Sequence, residues 1–102
     1  MTITPKLIPF PLLEEVAPVL KTLSHPMRLR ILDFLKDEPK QVSEIIKATG
    51  KTQALTSHQL GIMRNAGVLK QNRQGNAVFY SVKNENVLGL LDCIREHKMK
   101  GK

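Results

Sequence analysis

Two helix-length patterns separated by three residues, followed at once by two strand-length patterns, constrain this chain more than any other feature. Val42, Ile45, Ile46 and Ala48 recur at helical spacing and stop at Gly50, a residue suited to closing a helix in the left-handed conformation. Thr52 then offers a side-chain oxygen in the N-cap position of a helix over 53–66, which carries Leu55, Leu60, Ile62, Met63 and Ala66. Two helices joined by a short turn containing glycine form a helix-turn-helix. Past Gly67, residues 68–73 and 76–82 are strand-like and are joined by Gln74-Gly75, so they predict a β-hairpin, or wing.

The flanks supply the remaining helices. Pro5, Pro9 and Pro11 make residues 1–11 an extended arm. Leu12, Leu13, Val16, Val19, Leu20 and Leu23 predict a first helix, with Pro18 expected to kink or interrupt it. His25-Pro26 breaks that helix and restarts the chain, because proline at a first helical position lacks only an amide that would be unpaired anyway. The second helix, over 26–36, is apolar on most sides and belongs in the core. Asn84 caps a last helix over 85–98 whose apolar residues are Val87, Leu88, Leu90, Leu91 and Ile94, and 99–102 form a frayed tail. With 102 residues there is room for one core. The expected architecture is mainly α with a small β-hairpin: one winged helix-turn-helix domain over 12–98, with five helices plus the wing.

Charge narrows the partner. Sixteen Lys and Arg against nine Asp and Glu leave a net charge of +7, a field that attracts polyanions. No apolar run is long enough to span a membrane, and the N-terminus has no basic segment followed by a signal core, so no membrane partner is expected. A lone cysteine, Cys93, forms no internal disulfide and fits a reducing, cytoplasmic setting. These features favour a nucleic acid as the partner.

Helix-turn-helix proteins place the second helix in the major groove with its N-terminal residues against base edges. At about 100° per residue, Gln53, Ala54, Ser57, Gly61 and Arg64 point away from the side holding Leu55, Ile62 and Met63, with Thr56 and His58 on the flanks. Glutamine bonds adenine in pairs, serine and threonine bond several bases, and the threonine methyl touches thymine. Gln53, Thr56, Ser57 and His58 are therefore the candidate base readers, and Arg64 a candidate phosphate contact. Arg73 near the hairpin tip, with Lys51 and Lys70, adds candidate backbone contacts. An enzyme fits poorly: adjacent Ser57 and His58 diverge on a helix, and neither a phosphate loop nor a paired-histidine motif is present. A winged-helix protein-interaction module would require apolar anchors on the same face, where the residues are polar.

Leu23-Ser24-His25-Pro26-Met27-Arg28-Leu29-Arg30-Ile31-Leu32 resembles the LADPTRLRIL helix of ArsR-type repressors. Thr52 to Leu60 together with Arg64-Asn65-Ala66-Gly67-Val68-Leu69 is similar to that family's recognition helix, and Arg73 to Tyr80 to its wing. The resemblance implies a homodimeric repressor that binds a two-fold operator and releases it on binding an inducer. It also implies a dimer interface on the first and last helices, here Leu13, Val16, Leu20, Leu88, Leu91 and Ile94. The metal ligands of the family do not carry over. Its cysteine motif is replaced by Lys40-Gln41-Val42-Ser43-Glu44-Ile45, and the positions of its last-helix zinc site hold Asn84, Asn86, His97 and Lys100, of which only His97 is a ligand. No cofactor is expected. Cys93 and His97 share one helix face, leaving a weak metal alternative or a thiol switch at Cys93; no inducer is singled out.

Overall fold

The computed structural model describes residues 6–97, in the order α1 (Phe10–Leu23), α2 (Pro26–Leu35), β1 (Lys40–Gln41), α3 (Val42–Thr49), α4 (Gln53–Asn65), β2 (Leu69–Gln74), β3 (Ala77–Val82), a 3₁₀ turn (Glu85–Leu88) and α5 (Gly89–Glu96). The first five residues of the expected arm, the end of the last helix and the tail fall on 1–5 and 98–102, outside the described residues.

α2 is the central element. His25 caps it, its Nδ1 accepting the Met27 amide at 3.1 Å, and Pro26 opens it. Met27, Ile31, Leu32 and Leu35 from this helix meet Leu23, Ile45, Leu60, Met63, Val68 and Leu69 in one core, which Tyr80, Val87 and Leu91 close. Gly50 ends α3 at φ 70, a conformation costly for residues with a Cβ. The turn into α4 is therefore sharp.

β3 lies in the middle of a three-stranded antiparallel sheet, ordered β1-β3-β2. The hairpin register runs from Leu69 opposite Val82 to Gln74 opposite Ala77. The short β1, with Lys40 opposite Tyr80 and Gln41 opposite Phe79, was not expected, because two residues carry no readable period.

Two boundaries differ from expectation. α1 begins at Phe10 rather than Leu12, with Pro11 in its first turn, where a missing amide breaks no helical bond. It also runs through Pro18 without interruption, and the Pro18 carbonyl accepts the Thr22 hydroxyl at 3.1 Å. The last helix starts as the 3₁₀ turn, capped by the Asn84 side chain on the Asn86 amide, before continuing as α5. Arg95 of α5 hydrogen-bonds Asp33 of α2, and that bond holds the Asp33 carboxyl below its ordinary range despite partial desolvation. The pair fastens the outer end of α5 to the central helix.

α1 contributes only Leu23 as a fully buried residue; Leu12, Leu13, Val16 and Leu20 are all more than a third exposed. Together with α5 it borders an apolar groove of about 510 Å³, lined by Leu12, Val16, Val19, Leu20, Val87 and Leu90. Leu91 departs from the expected interface: it is 4% exposed because it faces the core of its own subunit, and Leu88 is half-buried against that core. Ile94 remains on the surface, 49% exposed.

Candidate nucleic-acid interface

α4 is oriented by two buried polar residues. Thr56 is fully buried, and its hydroxyl lies 3.1 Å from that of Thr49 at the end of α3. Thr49 also donates to the Ile46 carbonyl and accepts the Lys51 amide, so one hydroxyl chain joins both helices to the turn between them. Gln59 is 6% exposed, its Oε1 accepting the Arg28 Nε at 2.6 Å. Arg28 donates in addition to the Thr22 carbonyl, linking α1, α2 and α4. Burial without such partners would cost about 1–3 kcal/mol per group; with them, Thr56 and Gln59 sit beside Leu60 and Met63 on the inner face.

This rotates α4 relative to the apolar pattern of its sequence. Thr56 is corrected from base reader to core residue, since its hydroxyl is used by Thr49 and no part of it meets solvent. Leu55, expected in the core, is 40% exposed. Gln53, Ala54, Ser57, His58 and Arg64 are all exposed, as expected of a face presented to a partner. Thr52 caps the helix through the Leu55 amide at 3.1 Å, which leaves the first turn well formed beneath Gln53 and Ala54.

The wing lies along one side of this helix. Arg64 donates to Gln71 Oε1 at 2.8 Å, tying α4 to β2, so part of its guanidinium is occupied rather than free for phosphate. Between them runs a groove of about 750 Å³ lined by Ser43, Gln53, Ser57, Gln71, Asn76 and Tyr80. Strand alternation puts Arg73 on the face of β2 that carries Gln71. It puts Lys70 on the opposite face with Asn72 and Gln74, in a groove shared with Asp37, Glu38 and Glu85. Lys70 is thus removed from the α4 side, although its charge still adds to the field of the wing.

The charges are partitioned in the same way. From Ile45 to Asn84 the chain has no Asp or Glu but has Lys47, Lys51, Arg64, Lys70, Arg73 and Lys83. Among the described residues every ion pair involves Lys36, Lys40 or Arg95, so the carboxylates neutralise cations away from α4. That carboxylate-free stretch was a legible signal in the sequence, and it also marks Lys47 and Lys83. The arrangement is a polar helix face flanked by unneutralised cations, with a hairpin at its side. Its dimensions suit a duplex, because α4 rises about 20 Å over its length and the major groove admits one helix. Cys93 and His97 are exposed on or just past α5, and no three His, Cys, Asp or Glu side chains converge on a metal-sized site among the described residues; Lys100 lies outside them. No helix of the described residues is long and apolar enough to cross a membrane.

Comparison with known proteins gives one consistent answer. The model of the bacterial regulatory protein, arsR family, matches residues 25–71, from the cap of α2 to the start of the wing. The transcriptional repressor PagR of Bacillus anthracis is 41% identical over 83 residues, covering 80% of this chain and 83% of the repressor. Its crystal structure superposes with a TM-score of 0.75 over 84% of this chain and 99% of that one. The homodimeric winged helix-turn-helix DNA-binding domain of a possible ArsR-family regulator from Mycobacterium bovis is 31% identical with a TM-score of 0.72, covering 84% of this chain and 80% of that one. The biofilm growth-associated repressor of Xylella fastidiosa is 34% identical over 80 residues, or 78% of this chain and 70% of its own length.

Proposed function

This chain belongs to the ArsR family of bacterial regulatory proteins and is a DNA-binding transcriptional regulator; from that premise we propose that it is a repressor whose two copies pair through α1 and α5 and present two α4 helices to successive major grooves. The observation that carries the reading is the exposed polar face of α4 within a carboxylate-free, cation-bearing stretch. Gln53, Ser57 and His58 read base edges, Arg73 and Lys51 engage phosphates, and Arg64 holds the wing beside the helix while reaching the backbone.

Because phosphate contacts release counterions, affinity for duplex DNA falls steeply as salt rises, by about 0.9 log units per log unit of salt for each contact. Fluorescence anisotropy on a labelled duplex across a salt series measures this. A slope near zero, or no binding to any duplex at low salt, refutes the proposal.

Pairing follows from surface that one subunit leaves uncovered: Leu12, Leu13, Val16, Leu20 and Ile94 are exposed along α1 and α5. A two-fold dimer sets its reading helices about 34–36 Å apart, one turn of DNA, so a symmetric operator is expected. Sedimentation equilibrium is expected to give twice the 11.5 kDa chain mass, and Leu20→Glu to give a single chain mass with an unchanged circular dichroism spectrum. A Leu20→Glu protein that stays dimeric would move the interface elsewhere.

A further inference from the structure

We infer that the groove on the side of α4 away from the wing is a second site for the DNA backbone, with Arg30 and Lys51 as its phosphate donors; this rests on the duplex-binding reading above. A helix with its side chains is about 10–12 Å across and nearly fills a major groove about 12 Å wide. A phosphate strand therefore runs along each of its edges. The wing serves one edge. At the other, α2 and the turn before α4 enclose a groove of about 510 Å³ lined by His25, Arg30, Thr49, Lys51, Leu55 and Gln59.

Four observations fit this groove to a sugar–phosphate strand. Among the described residues no carboxylate lines it, whereas three other surface grooves hold Asp37, Glu38 and Glu85, then Asp37 and Asp92, then Glu15. The two grooves flanking α4 both lack acids among the described residues. Arg30 and Lys51 are exposed, and neither has an ion-pair partner among the described residues, unlike Lys36, Lys40 and Arg95. The Arg30 guanidinium leans toward the end of α3, 3.5 Å from the Ala48 carbonyl, which brings its charge to the turn that carries Lys51. Leu55, which the rotation of α4 leaves outside the core, supplies apolar surface in the same groove, suited to a deoxyribose.

The test is the salt dependence of binding to a labelled duplex of arbitrary sequence. Arg30→Gln with Lys51→Gln is expected to lower the slope of log affinity against log salt by about 1.8, since each lost contact removes about 0.9. Between about 50 and 200 mM salt the parent then loses about twelvefold more affinity than the variant. Arg30→Lys with native Lys51 keeps the parent slope, and base preference in a duplex selection is unchanged in all of them. A double variant that folds with the parent's melting midpoint and retains its full slope overturns the assignment while leaving the wider function intact. A parent that binds no duplex at low salt overturns both.

Discussion

A protein carrying Gln53→Ala and Ser57→Ala together is expected to bind its preferred operator at least about thirtyfold more weakly than the parent, while binding unrelated duplexes equally well. Each residue is proposed to bond a base edge, and losing such a contact costs about 1–3 kcal/mol. Two losses exceed about 2 kcal/mol, which is the thirtyfold. Binding to unrelated DNA rests on phosphates and survives, because Arg73, Lys51 and the field of the carboxylate-free stretch are untouched. Duplex selection on the parent supplies the operator, and titration of both duplexes gives the comparison. Neither side chain is buried, so loss of affinity through misfolding is readily separated by thermal melting. Equal weakening on both duplexes would make these residues phosphate contacts; no weakening on either would put the interface elsewhere.

Arg28→Ala is expected to cost about 2–3 kcal/mol of folding stability, because it strips the charged donor from a buried Gln59 oxygen and from the Thr22 carbonyl. In a domain of this size that lowers the melting midpoint by about 10–20 °C. If the cost comes from an orphaned amide, then Gln59→Leu added to Arg28→Ala restores part of the loss, since an apolar side chain needs no partner. A double variant no more stable than Arg28→Ala would show that the Gln59 contact is not the source.

These two residues also explain what the sequence conceals. The order of helices, the Gly50 turn, the caps at Thr52 and Asn84 and the hairpin are all local features, set by backbone geometry and hydrophobic period, and they stand where the pattern puts them. The facing of α4 is different. A periodic reading turns apolar residues inward, yet here Thr56 and Gln59 go in and Leu55 comes out. Their hydrogen-bond partners, Thr49 and Arg28, lie 7 and 31 residues away. No local pattern announces such a partner. Lys70 is a second instance: its closeness to the recognition helix in sequence says nothing of which strand face it occupies, and alternation from Gln71 puts it behind the wing. Leu91 is a third, because an amphipathic α5 looks the same whether its stripe covers its own core or a second copy. Exposed Ile94 and buried Leu91 divide that stripe.

The inward turn of Thr56 and Gln59 has a consequence for how such a protein changes its target. Because the hydroxyl chain through Thr49 and the Arg28 bond fix the roll of α4, the outward residues Gln53, Ala54, Ser57 and His58 have no duty in holding the domain together. If those four positions read bases as proposed, mutation there rewrites the address on the DNA while the scaffold keeps its shape, so new operators are reachable in single steps. The same separation makes this helix a suitable place to graft a different specificity.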